Sequence, residues 1–134
     1  VKRMERKIDA GAEYFLTQPI YDIALIEEVY EATKHLEQPI FIGIMPLISK
    51  RNADFLHFEV PGITLPEEIR ERMDGHETKE AAIEEGICIS QELIDAAMKY
   101  FNGIYLITPF LKYEITEHLV KYVREKQEVK EGIN

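Results

Sequence analysis

The sequence predicts an α/β fold in which about three parallel strands are joined by helical crossovers. Three observations carry this. Short apolar runs of strand type lie at 14–17, 40–44 and 104–108. Segments with helical spacing separate them, which implies parallel pairing. Each run ends in a polar or proline-bearing turn: Thr17-Gln18-Pro19, Met45-Pro46 and Thr108-Pro109. A (β/α) barrel presents its active-site loops in this way, at the carboxyl ends of its strands. Eight strands close such a barrel, and three leave two raw edges. Half of a barrel and a small three-layer α/β domain fit this pattern equally well.

The elements follow in order. Residues 2–10 read as the end of an amphipathic helix with Met4 and Ile8 on one face, stopped by Gly11. The first strand is Tyr14-Phe15-Leu16-Thr17. Asp22 is placed to cap a helix over 23–36, in which Ile23, Ile26, Val29, Tyr30 and Thr33 keep helical spacing. Pro39 ends it, and Ile40-Phe41-Ile42-Gly43-Ile44 forms the second strand. Ser49 or Asn52 caps a short helix through Phe58. A turn over 60–66 leads to another short helix at 67–73. A long helix covers 78–101, its apolar side built from Ala81, Ile83, Ile87, Ile89, Leu93, Ile94, Ala97, Met98 and Phe101. Gly103 stops it before the third strand. The last helix carries Ile115, Leu119, Val120 and Val123, and the polar tail 126–134 is expected to fray.

Composition narrows the function classes. The chain has 134 residues, enough for one domain with a core. Sixteen Lys and Arg face 25 Asp and Glu, a formal charge of −9. That balance repels phosphate backbones and anionic lipid, so neither nucleic acid nor a membrane is an expected partner. No apolar run approaches the roughly 20 residues that span a bilayer. The opening VKRMERKIDAG has no apolar h-region, so no secretory leader is expected. The chain starts on Val, inside a helix, which suggests a piece of something longer. One cysteine, Cys88, excludes an internal disulfide framework and fits a cytoplasmic setting.

Several signatures are missing: no G-x-G-x-x-G, P-loop, G-x-S-x-G or H-E-x-x-H occurs. His76 lies near Glu77 and Glu80, an ordinary acidic helix start rather than a metal centre. Cys88, between Ile87 and Ile89, reads as a buried structural thiol. Gln18 is the most informative residue. A neutral amide on the loop side of a strand suits the mixed donor and acceptor edge of a flat heterocycle, or merely caps its loop. Asp22 reads as a helix cap rather than a base. Arg3, Arg6 and Lys7 read either as a phosphate clamp or as a solvated face that offsets the helix dipole. Phe55, Leu56 and His57 either flank a planar ligand or pack the helix. Phe110 and Lys112 either cover a site and hold an anionic tail or belong to the last loop.

The words of the sequence add to its periodicity. The stretch from Lys7 to Gln18 resembles the K-x-D-A-G-A-x-x-x-x-T-Q segment of methylenetetrahydrofolate reductases, and Asp22 matches the Asp of that family's T-Q-x-x-x-D. Gly43-Ile44-Met45-Pro46 is similar to its G-I-[ML]-P turn, and the stretch from Asp95 to Thr108 is similar to its last barrel strand. The Q-P-I-Y-D and T-P-F variants resemble the branch fused behind a homocysteine methyltransferase domain.

The resemblance implies the carboxyl-terminal half of a (β/α)8 TIM barrel: strands six to eight across 1–134, preceded by the fifth helix. It implies an enzyme of one-carbon metabolism that passes a hydride from NAD(P)H through FAD to 5,10-methylenetetrahydrofolate, giving 5-methyltetrahydrofolate. It gives Gln18 the role of hydrogen-bonding the folate pterin, and Arg3, Arg6 and Lys7 the role of contacting FAD. The folate-packing position falls at Leu56 or His57, and a polar substrate contact at Asn52 or Ala53. An Arg that follows the last strand in many members is absent. Lys112 replaces its charge but not its bidentate geometry.

The family's proton-donating Glu and flavin-tuning Asp have no counterpart here, so no catalytic residue and no metal ligand is assigned. Half a site loses most of the positioning that cofactor chemistry needs. The chain alone is therefore expected neither to hold FAD tightly nor to turn over. The rival readings are a non-catalytic half-barrel that self-associates into a homo-oligomer through its open edges, and a different enzyme on a small α/β domain.

Overall fold

A computed structural model describes residues 2–101, 103–108 and 113–132. The element order is α1 (Lys2–Asp9), β1 (Phe15–Pro19), α2 (Ile23–Thr33), β2 (Ile40–Ile44), α3 (Lys50–Glu59), α4 (Glu67–Arg72), α5 (Lys79–Tyr100), β3 (Gly103–Leu106) and α6 (Tyr113–Gly132). The strands form one parallel sheet in the order β1-β2-β3. This is the predicted α/β architecture of parallel strands with helical crossovers.

Local chemistry sets the boundaries. Asp22 caps α2 by accepting from the Ala24 amide at 2.9 Å, and Thr78 caps α5 by accepting from Ala81 at 3.1 Å. Of the two candidates for α3, Ser49 is the cap, accepting from Asn52 at 3.0 Å. Helix α2 stops at Thr33, three residues before the expected end. The Leu36 amide turns back to the Thr33 carbonyl, and the Thr33 hydroxyl donates to the Val29 carbonyl at 2.6 Å. Gly103 opens β3 rather than only stopping α5. Helix α6 runs through Gly132, past Lys126 where the polar tail begins. Glu, Lys and Gln dominate that tail, and all three are good helix formers.

The sheet has two unequal faces. On one, Ile40, Ile42 and Ile44 are buried, with Phe15, Ile104 and Leu106 packed beside them. Helix α5 lies against β2 and β3, and it is flanked by α2 and α6. Its buried stripe is Ala82, Gly86, Ile89, Leu93, Ile94 and Ala97. A Cβ on Gly86 would fall on the Leu47 carbonyl, so this glycine lets the loop after β2 press directly on α5. Cys88 points away from that stripe and is exposed, which corrects the expectation of a buried thiol.

On the other face, Tyr14 is 58% exposed, Leu16 50% and Tyr105 44%. Phe41 stands among them, edge-on to Tyr14 with ring centroids 6.2 Å apart. Among the described residues no helix covers these side chains. A three-layer domain needs helices on both faces. Sequential strand order with right-handed crossovers puts them all on one, which is the plan of a barrel wall.

Candidate functional site

The carboxyl ends of β1 and β2 bring Gln18 and the segment around α3 to one rim. At the end of β1 the pairing register slips between Leu16 and Pro19. The Thr17 hydroxyl takes over there, accepting from the Gly43 amide at 2.8 Å and donating to the Gln18 carbonyl at 2.8 Å. Only glycine fits at position 43, because a Cβ there would stand 2.8 Å from the Thr17 carbonyl oxygen. Two residues on, Tyr21 is buried and its phenol donates to the Met45 carbonyl at 2.8 Å, tying the exit of β1 to the exit of β2. Burial holds that phenol neutral well above the ordinary tyrosine range.

Gln18 is thereby fixed at its backbone while its side chain stays exposed. Its carboxamide lies beside Gly62, in the turn after α3. An exposed neutral amide at this place offers two donors and an acceptor to a planar ligand edge. A neutral amide can hydrogen-bond a ligand but does not transfer protons.

Helix α3 forms the adjacent wall. Asn52 is buried and uses its carbonyl oxygen on the Ile48 amide at 3.2 Å. It also lines an open groove of about 400 Å³ with Ile48, Ser49, Arg51 and Phe55. Leu56 is buried in the core. The His57 Nδ1 accepts from the Leu65 amide at 3.0 Å, which makes Nδ1 the unprotonated nitrogen. The large apolar side chains of this helix that are exposed are Phe55 and Phe58. Phe58 carries the Arg70 guanidinium over its ring at 5.4 Å and meets the His57 ring edge-on at 4.6 Å. Sequence reading passed over Phe58 and Arg70. The available signal was the three-residue spacing of Phe55 and Phe58, which puts both on one helix face.

The remaining candidates lie elsewhere. Arg3, Arg6 and Lys7 are exposed on α1, and among the described residues none forms an ion pair. The last turn of α1, with Arg6 and Lys7, leads into the amino end of β1. Lys112 and Phe110 lie outside the described residues. Thr108 shares a hydrogen bond with Thr116 at 2.8 Å. The His76 ring nitrogen meets the Arg72 carbonyl at 2.8 Å, and among the described residues no group of three metal-ligating side chains gathers. Nor is any described helix long and apolar enough to cross a membrane.

A search of the curated proteins finds no match. Among solved structures, the fold is similar to an uncharacterized protein from Clostridium thermocellum that binds two copies of 5-methyl-5,6,7,8-tetrahydrofolic acid. The TM-score is 0.58 and the identity 20%, over 85% of this chain and 43% of that one. The chain thus spans less than half the length of that protein. The family described as methylenetetrahydrofolate reductase matches residues 1–127. That match covers nearly the whole sequence, and the chain belongs to the methylenetetrahydrofolate reductase family.

Proposed function

We propose that this chain supplies the folate-facing part of a methylenetetrahydrofolate reductase, which forms 5-methyltetrahydrofolate from 5,10-methylenetetrahydrofolate with NAD(P)H as donor. The observation that carries this reading is Gln18. Its backbone is clamped at the carboxyl end of β1, and its carboxamide is free to meet the pterin edge. The groove beside Phe55 and Asn52 would take part of the same ligand. The folate named for the Clostridium thermocellum protein supports the substrate class.

The cofactor is FAD, which when bound would carry the hydride between donor and folate. The exposed cations Arg3, Arg6 and Lys7 fit the charge of its diphosphate and would hold it from one side. The described residues form no enclosing cradle, so the chain alone binds FAD weakly and does not turn over. NAD(P)H-driven reduction of flavin by the purified chain would overturn that statement. The Q-P-I-Y-D and T-P-F variants support placement in the branch fused behind a homocysteine methyltransferase.

The test is calorimetric titration of 5-methyltetrahydrofolate into the chain and into its Gln18→Ala variant. Removing a hydrogen-bonding partner leaves ligand groups unsatisfied, so about tenfold weaker binding is expected. Equal binding by the two proteins sinks the reading.

A further inference from the structure

The turn after α3 contains a feature that the folate reading does not use. Gly62 has φ +86°, in the left-handed region, and a Cβ on it would stand 2.6 Å from Oε1 of Gln18. The next nearest atoms would also belong to the Gln18 carboxamide, its Cδ at 3.5 Å and its Nε2 at 3.7 Å. The missing side chain therefore leaves room for one object, the end of the Gln18 side chain. The backbone of Gln18 is fixed independently by Thr17, so the carboxamide is the part that must move if this room is filled.

We propose that Gly62 is a positioning residue for Gln18. Its bare backbone forms the seat that sets the direction of the carboxamide, and the folate affinity depends on it. The proposal rests on the folate reading of Gln18 for its functional half. The placement of the carboxamide stands by itself.

The molecule holds its own control. Gly75 also has positive φ, +77°, but a Cβ there would meet nothing within 4 Å. Gly75→Ala introduces the same kind of backbone strain without displacing any side chain. Gly62→Ala introduces strain and displacement together. Gly62→Asn keeps a residue that tolerates the left-handed region, and it serves if the alanine variant does not fold.

The first readout is the side-chain amide resonance of Gln18 in the free protein, assigned by its loss in Gln18→Ala. It is expected to shift in Gly62→Ala or Gly62→Asn and to stay in place in Gly75→Ala. An unmoved resonance in the Gly62 variants overturns the proposal. The second readout is the titration with 5-methyltetrahydrofolate. Gly62→Ala is expected to bind as weakly as Gln18→Ala, and the double variant no more weakly than Gln18→Ala alone. Full additivity would mean that Gly62 acts through general destabilisation, which also overturns the proposal. If Gln18→Ala binds like the unaltered chain while the resonance still shifts, the folate reading fails and the seat at Gly62 stands.

Discussion

The two faces of the sheet are built from the same kinds of residue and meet opposite fates. Ile42, on the face under α5, is fully buried, whereas Leu16, on the neighbouring strand and the other face, is half exposed. Both come from apolar runs that look alike in sequence. What separates them is topology. Parallel strands in sequential order send every crossover to one side, so one face receives the helices and, among the described residues, the other receives none. Apolar composition is compatible with burial on either face of a strand, while chain order decides which face the described helices cover.

That contrast can be broken or sharpened by measurement. The largest effect is expected from Ile42→Ala, which empties a packed site and should cost about 2–5 kcal/mol in urea unfolding. Next comes Thr17→Val, at the seam where β1 leaves the ladder. It strips the Gly43 amide of its acceptor and should cost about 1–3 kcal/mol, with a shift in the Gln18 side-chain resonance. A third test uses alkali. Burial raises the Tyr21 phenol above its ordinary value of 10.0. A raised phenol contributes stability that is fully present below the unfolded value and lost as pH climbs toward the folded one. The melting temperature should therefore fall more steeply above pH 10.0 in the unaltered chain than in Tyr21→Phe. The smallest effect is expected from Leu16→Ala on the bare face, within about 0.5 kcal/mol. A Leu16→Ala cost as large as that of Ile42→Ala would mean that this face is covered in solution.

Much of the fold was legible because its punctuation is chemical. Asp22 announces a helix start through its side-chain oxygen, Ser49 and Asn52 bracket the next one, and the strand runs are short, apolar and closed by prolines. The bare face was not legible, since a continuous apolar run has no alternation to reveal which residues lack a neighbour. Cys88 was misread because Ile87 and Ile89 flank it in sequence, whereas a helix sorts neighbours by turns of 3.6 residues and puts it on the outer side. In the site, Gln18 stood out by residue type and place. Gly62 and Gly86 did not, because a glycine's use lies in what approaches it, and both partners come from distant parts of the chain.

The equal direction and sequential order of the strands give the sheet a polarity. Its two free edges, along β1 and β3, are different surfaces. In continuing the parallel sheet, a β3 edge is completed by a β1-type edge and not by another β3 edge. Pairing between copies in this mode is heterologous, head to tail, and does not end itself as a two-fold contact would. It closes into a ring only where sheet curvature returns the last edge to the first, and otherwise it grows.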